Sequence, residues 1–280
     1  MDFEHLIYKV DNLVATITLN RPETLNALTP AMRKSFAAAL ELAENDDNVR
    51  VIIITGTGKG FCSGGDVKAM NEARKSGKAS VLGDKVDPIR DRIVLAMRDS
   101  TKPIIAAVNG AAAGAGMNIA LACDIRIAAD TAKFGETFTK RGLHPDWGGT
   151  YFLPRIVGMA KACELIWSGK MIQANEALEL GIVSQLETPA ALMAATLAMA
   201  NSFAAGPPIA IRKAKRAMYR GMDSTLPEAL KFETHAQNTC SGTQDAKEGI
   251  AAFVEKRDLV LASARPKPTV ALGSHKAQPL

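Results

Sequence analysis

The chain reads as an α/β protein, on three observations. Short runs rich in Val and Ile alternate with amphipathic helical patterns, two of those patterns carry helix-start signals, and the strand signals stop near residue 189. Strands that alternate with helices pair in parallel, because a parallel neighbour is reached only through a crossover and the helix supplies it.

In chain order, the first strand is predicted over 13–19 (LVATITL). Thr29 followed by Pro30 then opens a helix to about residue 44, since a Thr hydroxyl caps a free N–H and Pro at the first helical position has none to lose. A second strand is predicted over 49–55, a helix from Asp87-Pro88 to about 97, and strands over 103–108 and 124–128. Beyond 189, helical segments follow around 189–204, 207–220, 225–239 and 243–257. The expected organisation is a core over 1–195, a helical region over 196–262 and a flexible tail over 263–280, where Pro, Gly, Lys and Ser replace periodic apolar residues.

With 280 residues, 47% of them apolar, the chain can bury a sizeable core. Two stretches, 103–124 and 188–211, have the length of a membrane-crossing helix. Both contain breakers that argue against a span: Pro103, Gly110, Gly114 and Gly116 in the first, Gly206, Pro207 and Pro208 in the second. The first residues carry charges of both signs and no apolar run, so a cytoplasmic location is expected. Cys62, Cys123, Cys163 and Cys240 form no CxxC pair and are expected to be reduced and buried, and the four histidines lack ligand spacing, so no metal is expected. The net charge of +5 is mild and no basic stretch is interleaved with aromatics, so nucleic acid is not the expected partner.

Two small-residue loops carry the candidate chemistry. GKGFCSGGDVKAM follows the strand VRVIIITG, and AAAGAGMNIALACD follows PIIAAVNG; each leads into a helix. Such turns leave N–H groups unpaired at a helix start, where they favour negative charge. Two of them converging on one carbonyl oxygen would stabilise an enolate by several kcal/mol, with no side chain required.

The chain resembles the crotonase superfamily, the enoyl-CoA hydratase/isomerase family, over about residues 5–258. The resemblance rests on LNRPETLNAL (19–28), GFCSGGDV (60–67), KPIIAAVNGAAAGAGMNIALACDIRIA (102–128), FGETFTKRGLHPDWGGTYFLPRIVG (134–158), QANEALELGIV (173–183) and EGIAAFVEKR (248–257), in the family's order. It implies a crotonase-like ββα spiral core with a helical C-terminal trimerisation region, giving a homo-trimer or a dimer of trimers. It further implies an acyl-CoA substrate with no permanently bound cofactor, oxyanion donors at the Ser63 and Ala115 N–H groups, and acyl-CoA contacts along Leu25, Gly65, Asp66 and Val67. Phe253 and Lys256 match the helix that, in the family, often reaches a neighbouring subunit's nucleotide.

The chain departs from the hydratase pattern at two positions. Where those relatives carry two glutamates it has Asn118 and Phe138, neither of which exchanges a proton at neutral pH. An acid stands instead at Asp146, where the isomerase relatives carry a catalytic aspartate. A single carboxylate suffices to move a proton between two carbons of a bound acyl group. Desolvation by Trp147 and Phe138 is expected to raise its pKa, and the competing structural role for Asp146 is to cap a helix beginning near Gly148. His144 is expected to be structural, the alternative being to orient Asp146 or line the acyl pocket; Glu136 is expected to be a surface or ion-paired residue, the alternative being a second acid; and Asn118 is expected to position substrate or cap its helix. Isomerisation of an enoyl-CoA is the preferred reading; hydration of a 2-enoyl-CoA and non-catalytic acyl-CoA or RNA binding stay open.

Overall fold

The computed structural model describes residues 3–76 and 88–261. The chain opens with a hairpin, β1 (Leu6–Asp11) antiparallel to β2 (Val14–Leu19), turned at Asn12 and Leu13, both in the left-handed region. Helix α1 (Pro30–Asn45) follows, its first turn capped by the Thr29 hydroxyl, which accepts from the Met32 N–H at 3.1 Å. Next come β3 (Val51–Gly56), β4 (Gly60–Cys62), α2 (Val67–Lys75) and α3 (Pro88–Asp99). The proposed cap of α3 at Asp87 lies outside the described residues.

The same pattern repeats with β5 (Ile104–Val108), β6 (Ala111–Ala113) and α4 (Ala115–Ala122), and again with β7 (Ile125–Ala129), β8 (Lys133–Gly135), α5 (Gly149–Val157) and α6 (Met159–Ser168). In each repeat the first strand joins a six-stranded sheet and the second a four-stranded one. With β9 (Ile172–Gln173) and β10 (Gln185–Glu187), the sheet orders are β1-β2-β3-β5-β7-β10 and β4-β6-β8-β9. Among the described residues, only β1–β2 and β8–β9 pair antiparallel. Each ββα unit therefore adds one strand to both sheets, and the chain advances as a spiral.

The four strands read from sequence sit at the centre of the larger sheet. Ile52–Ile54 and Ile104–Val108 are wholly buried, and such strands read as unbroken apolar runs. The short strands β4, β6 and β8 carried no such signal, because three residues of Gly, Ala, Cys, Phe or Lys show no period. Close approach explains their composition: a Cβ on Gly116 would lie 2.0 Å from the Cys62 carbonyl oxygen, so only glycine lets α4 start against β4.

After α7 (Ala174–Glu179) and β10 the chain is helical: α8 (Leu192–Ala204), α9 (Pro208–Gly221), α10 (Leu226–Ser241) and α11 (Gln244–Glu255). The boundary expected at 195/196 falls inside α8, which packs across β2, β3, β5, β7 and β10 and buries Leu192, Thr196 and Ala200 there. Helix α9 is tied to the sheet by Asp124, whose carboxylate accepts from Lys215 Nζ (2.8 Å), the Tyr219 hydroxyl (2.5 Å) and the Ile104 N–H (2.7 Å). The tail expected over 263–280 lies outside the described residues. Among the described residues no helix is long and apolar enough to cross a membrane.

All four cysteines are free. Cys62 and Cys123 are buried, which pushes their thiols up to about 12. Cys163 and Cys240 are only half-buried, because each lies on a helix face that the core does not cover.

Candidate active site

The first loop is held by the turn that precedes α1. Leu25 and Asn26 both adopt left-handed backbone, with φ of 50° and 58°. Asn26 is wholly buried: its Nδ2 donates to the carbonyls of Thr57 (3.0 Å) and Gly60 (2.8 Å), and its Oδ1 accepts from the Arg21 N–H (2.8 Å). Asn tolerates the left-handed region better than other non-glycine residues, and here its side chain also binds both ends of the turn between β3 and β4. Asn26→Ala is expected to cost about 2–4 kcal/mol by urea denaturation, since it strands buried backbone groups and leaves alanine in a strained conformation.

That turn also decides which amides of the loop are available. The Ser63 N–H donates to the Leu25 carbonyl at 2.9 Å and the Ser63 hydroxyl to the Thr24 carbonyl at 2.9 Å. Ser63 is therefore a clamp residue whose N–H, expected from sequence to be an oxyanion donor, is engaged inside the chain. The Gly64 carbonyl is taken by the Leu28 N–H at 2.8 Å, while the Gly65 N–H has no acceptor among the described residues. Asp66 closes the loop: its Oδ1 accepts from the Ala69 N–H at 3.1 Å and its Oδ2 lies 3.3 Å from Arg21. The Ala69 N–H, with Arg21 beside it, holds the Asp66 carboxyl below the ordinary carboxylate range. Leu25 and Val67 stand exposed on either side.

The second loop turns on Gly114, whose φ of 53° and ψ of −123° suit glycine alone. Its N–H is bonded to the Gly135 carbonyl at 2.8 Å. Ala115 is the first residue of α4, so its N–H has no acceptor within the helix, and none among the other described residues. The two loops touch: a Cβ on Gly64 would lie 2.7 Å from the Ala113 carbonyl oxygen and 3.4 Å from the Ala115 nitrogen. Phe138 lies against the same turn, its ring edge 3.5 Å from the Cβ position of Gly114.

One turn into α4, Asn118 is wholly buried and its Nδ2 donates to the Asp146 carbonyl at 2.7 Å. This bond ties the segment before α5 to the helix that carries the Ala115 amide. The Asp146 side chain is 39% exposed, with Arg90 3.4 Å away, on the wall of a cavity of about 510 Å³ shared with Val94, Leu95, His144 and Trp147. The Asp146 side chain is partly buried, its Oδ1 shielded from solvent, and Trp147, with φ of 55° and 6% exposure, lines the same cavity. One expectation is corrected here: the Asp146 side chain does not cap α5, since Gly148 is the capping residue and makes no side-chain bond, while the Asp146 carbonyl accepts from Gly149 at 3.1 Å.

The buried carboxyl of the site is Glu136, which sequence reasoning placed at the surface or in an ion pair. It is 0% exposed, with Oε2 3.5 Å from Asn118 Nδ2, and burial, reinforced by the charge of Asp146, pushes its pKa up to about 8 against the opposing Asn118 hydrogen bond. The misleading signal was its polar context, GETFTK; the informative one was its position directly after the buried pair Phe134 and Gly135. Arg90, also missed, stands in DPIRDR among charges that look like an ordinary solvated face.

Phe253 and Lys256 are not brought to this site. They lie at the end of α11, Phe253 85% exposed, and neither lines the cavity beside Asp146. Among the described residues no three His, Cys, Asp or Glu side chains gather as a metal site would require.

A family model described as enoyl-CoA hydratase/isomerase matches residues 9–263. The chain is 37% identical over 260 residues to a short-chain-enoyl-CoA hydratase of Clostridium acetobutylicum, covering 92% of this chain and 98% of that protein. It is 38% identical over 254 residues to a 1,2-epoxyphenylacetyl-CoA isomerase of Escherichia coli, covering 91% and 97%. The crystal structure of an enoyl-CoA hydratase from Bacillus anthracis superimposes with a TM-score of 0.84 at 34% identity, covering 93% of this chain and 100% of that one.

Proposed function

The chain belongs to the enoyl-CoA hydratase/isomerase family and has the crotonase fold, and from that premise we propose that it moves the double bond of an enoyl-CoA by proton transfer through Asp146. In this reading the Asp146 carboxylate takes a proton from the carbon next to the thioester of a 3-enoyl-CoA. The electron pair moves onto the carbonyl oxygen as a dienolate, held by the Gly65 and Ala115 N–H groups. The same carboxyl, now protonated, returns the proton two carbons further along, giving the conjugated 2-enoyl-CoA.

The observation that carries the proposal is the way Asn118 joins the Asp146 main chain to α4 at 2.7 Å while the Asp146 side chain, 39% exposed, lines the cavity. The base is thus tied to the helix that carries one of the two donors, Ala115, and the positions of the two family glutamates hold Asn118 and Phe138, which supply no acid. Leu25, Asp66 and Val67 would line the path of the CoA moiety, the backbone at Asp66 making the contact because its carboxylate is engaged. Exposed Leu226, Ile250, Phe253 and Val254 on α10 and α11 support association into a homo-trimer or a dimer of trimers, in which Phe253 and Lys256 serve a neighbour's nucleotide. The acyl-CoA is both ligand and substrate, with no separate cofactor, and a cytoplasmic setting fits it.

Supplying purified protein with a 3-enoyl-CoA and following the absorbance of the conjugated thioester tests the proposal; a rise that depends on Asp146 is expected. The names of several relatives favour a second reading, hydration of a 2-enoyl-CoA with Asp146 activating water. Rapid loss of the crotonyl-CoA absorbance with no action on the 3-enoyl isomer would select it instead.

A further inference from the structure

We propose that Glu136 in its protonated form is a positioning residue for Asp146: its carboxylic acid pairs with the Asn118 carboxamide, and that pair fixes the amide that holds the Asp146 main chain. The inference rests on the proposed role of Asp146.

Glu136 and Asn118 are both 0% exposed, and each carries one oxygen with no hydrogen-bond partner: Oε1 of Glu136 and Oδ1 of Asn118. The remaining atoms are engaged, Asn118 Nδ2 with Glu136 Oε2 at 3.5 Å and with the Asp146 carbonyl at 2.7 Å. Two orphaned acceptors on side chains that already touch cannot satisfy one another, and each costs desolvation free energy while it stays bare. A single proton on Glu136 resolves both, because Oε1–H then donates to Oδ1 and the acid and amide close a ring of two hydrogen bonds.

The surroundings select that neutral form. Among the described residues no cation pairs with Glu136, and the charged group acting on it from the elements packed around it is Asp146, which has the same sign as a Glu136 carboxylate. Burial and that neighbour place its pKa at about 8, so the acid persists at neutral pH. The amide cannot swing away to another partner, since Gly149 is packed so closely that a Cβ there would lie 2.5 Å from Asn118 Nδ2. Glu136 does not line the cavity beside Asp146, so it acts through Asn118 and not on substrate. Deprotonation would expel the Oε1–H donor and set two carboxylates against each other, loosening Asp146 as the pH rises.

Two measurements on the full chain test this. Infrared spectra of the unliganded protein should show a protonated carboxyl band at neutral pH that fades as the pH rises through about 8 and is absent in Glu136→Gln; labelling glutamate with carbon-13 assigns the band should that variant fold poorly. In kinetics with a 3-enoyl-CoA, Glu136→Ala should lower kcat roughly ten- to a hundredfold with little change in KM. Glu136→Gln, whose amide can rebuild the ring, should restore most of that loss and abolish the alkaline fall in kcat. Absence of the band, or a Glu136→Gln profile that falls with pH as the parent does, overturns the inference. The infrared arm decides the state of Glu136 even if the isomerase reading fails, whereas isomerase activity that depends on Asp146 but ignores Glu136 removes this inference alone.

Discussion

Asp146→Asn is expected to lower kcat for 3-enoyl to 2-enoyl isomerisation by about 10²–10⁴-fold, the range a positioned proton carrier contributes. The substitution keeps the shape of the side chain and leaves untouched the two hydrogen bonds that fix the main chain, from Asn118 at 2.7 Å and Gly149 at 3.1 Å. The fold should therefore persist and KM should change only a few-fold, so the loss falls on the chemical step. An amide cannot accept the proton, and Glu136 is buried away from the cavity and neutral at pH 7, which leaves Asp91 and His144 as the other groups lining that cavity that can take a proton. Following the conjugated-thioester absorbance in both variants at equal protein concentration measures the ratio. Retention of a tenth or more of the parental kcat would assign the proton transfer to another group.

Gly65→Pro is expected to lower kcat by about 10²–10³-fold, while Gly65→Ala stays close to the parent. The pair of substitutions separates a lost donor from an added side chain. A Cβ at Gly65 meets only Met70 Sδ at 3.6 Å, an ordinary contact, so alanine fits. The Gly65 φ lies outside the left-handed region, and its N–H bonds to no described residue, so proline removes a donor the folded protein does not otherwise use. The same exchange at Ser63 would break its N–H bond to the Leu25 carbonyl and so report on stability instead of catalysis. Steady-state kinetics with thermal melts of each variant distinguishes these outcomes; equal activity in Gly65→Pro and Gly65→Ala would remove Gly65 from the oxyanion pair.

The parts of the molecule legible in the sequence were those with a period or a cap. Strands β2, β3, β5 and β7 announced themselves as Val and Ile runs, and Thr29-Pro30 marked the start of α1 within a residue. Strands β4, β6 and β8 did not, because their composition answers to close backbone approach and not to alternation. The loops were found by their glycines, yet the choice of amide within the first loop was not readable. It depends on the left-handed turn at Leu25 and Asn26, far earlier in the chain, which engages Ser63 and leaves Gly65 unbonded among the described residues. Asp146, singled out in the sequence, lines the cavity and is partly buried, whereas full burial falls on Glu136, ten residues earlier and just after β8. Burial of a single carboxyl follows from how β8, α4 and the segment before α5 meet, a tertiary property that a local pattern does not carry.

Polarisation of a thioester carbonyl by two main-chain amides is measured most directly as the carbonyl stretch of an unreactive acyl-CoA, carbon-13 labelled at the thioester, bound to the parent protein, to Asp146→Asn and to Gly65→Pro. A shift to lower frequency on binding that is equal in the parent and Asp146→Asn and much reduced in Gly65→Pro is predicted. A bound carbonyl that keeps its solution frequency, or a shift that survives in Gly65→Pro, would contradict it.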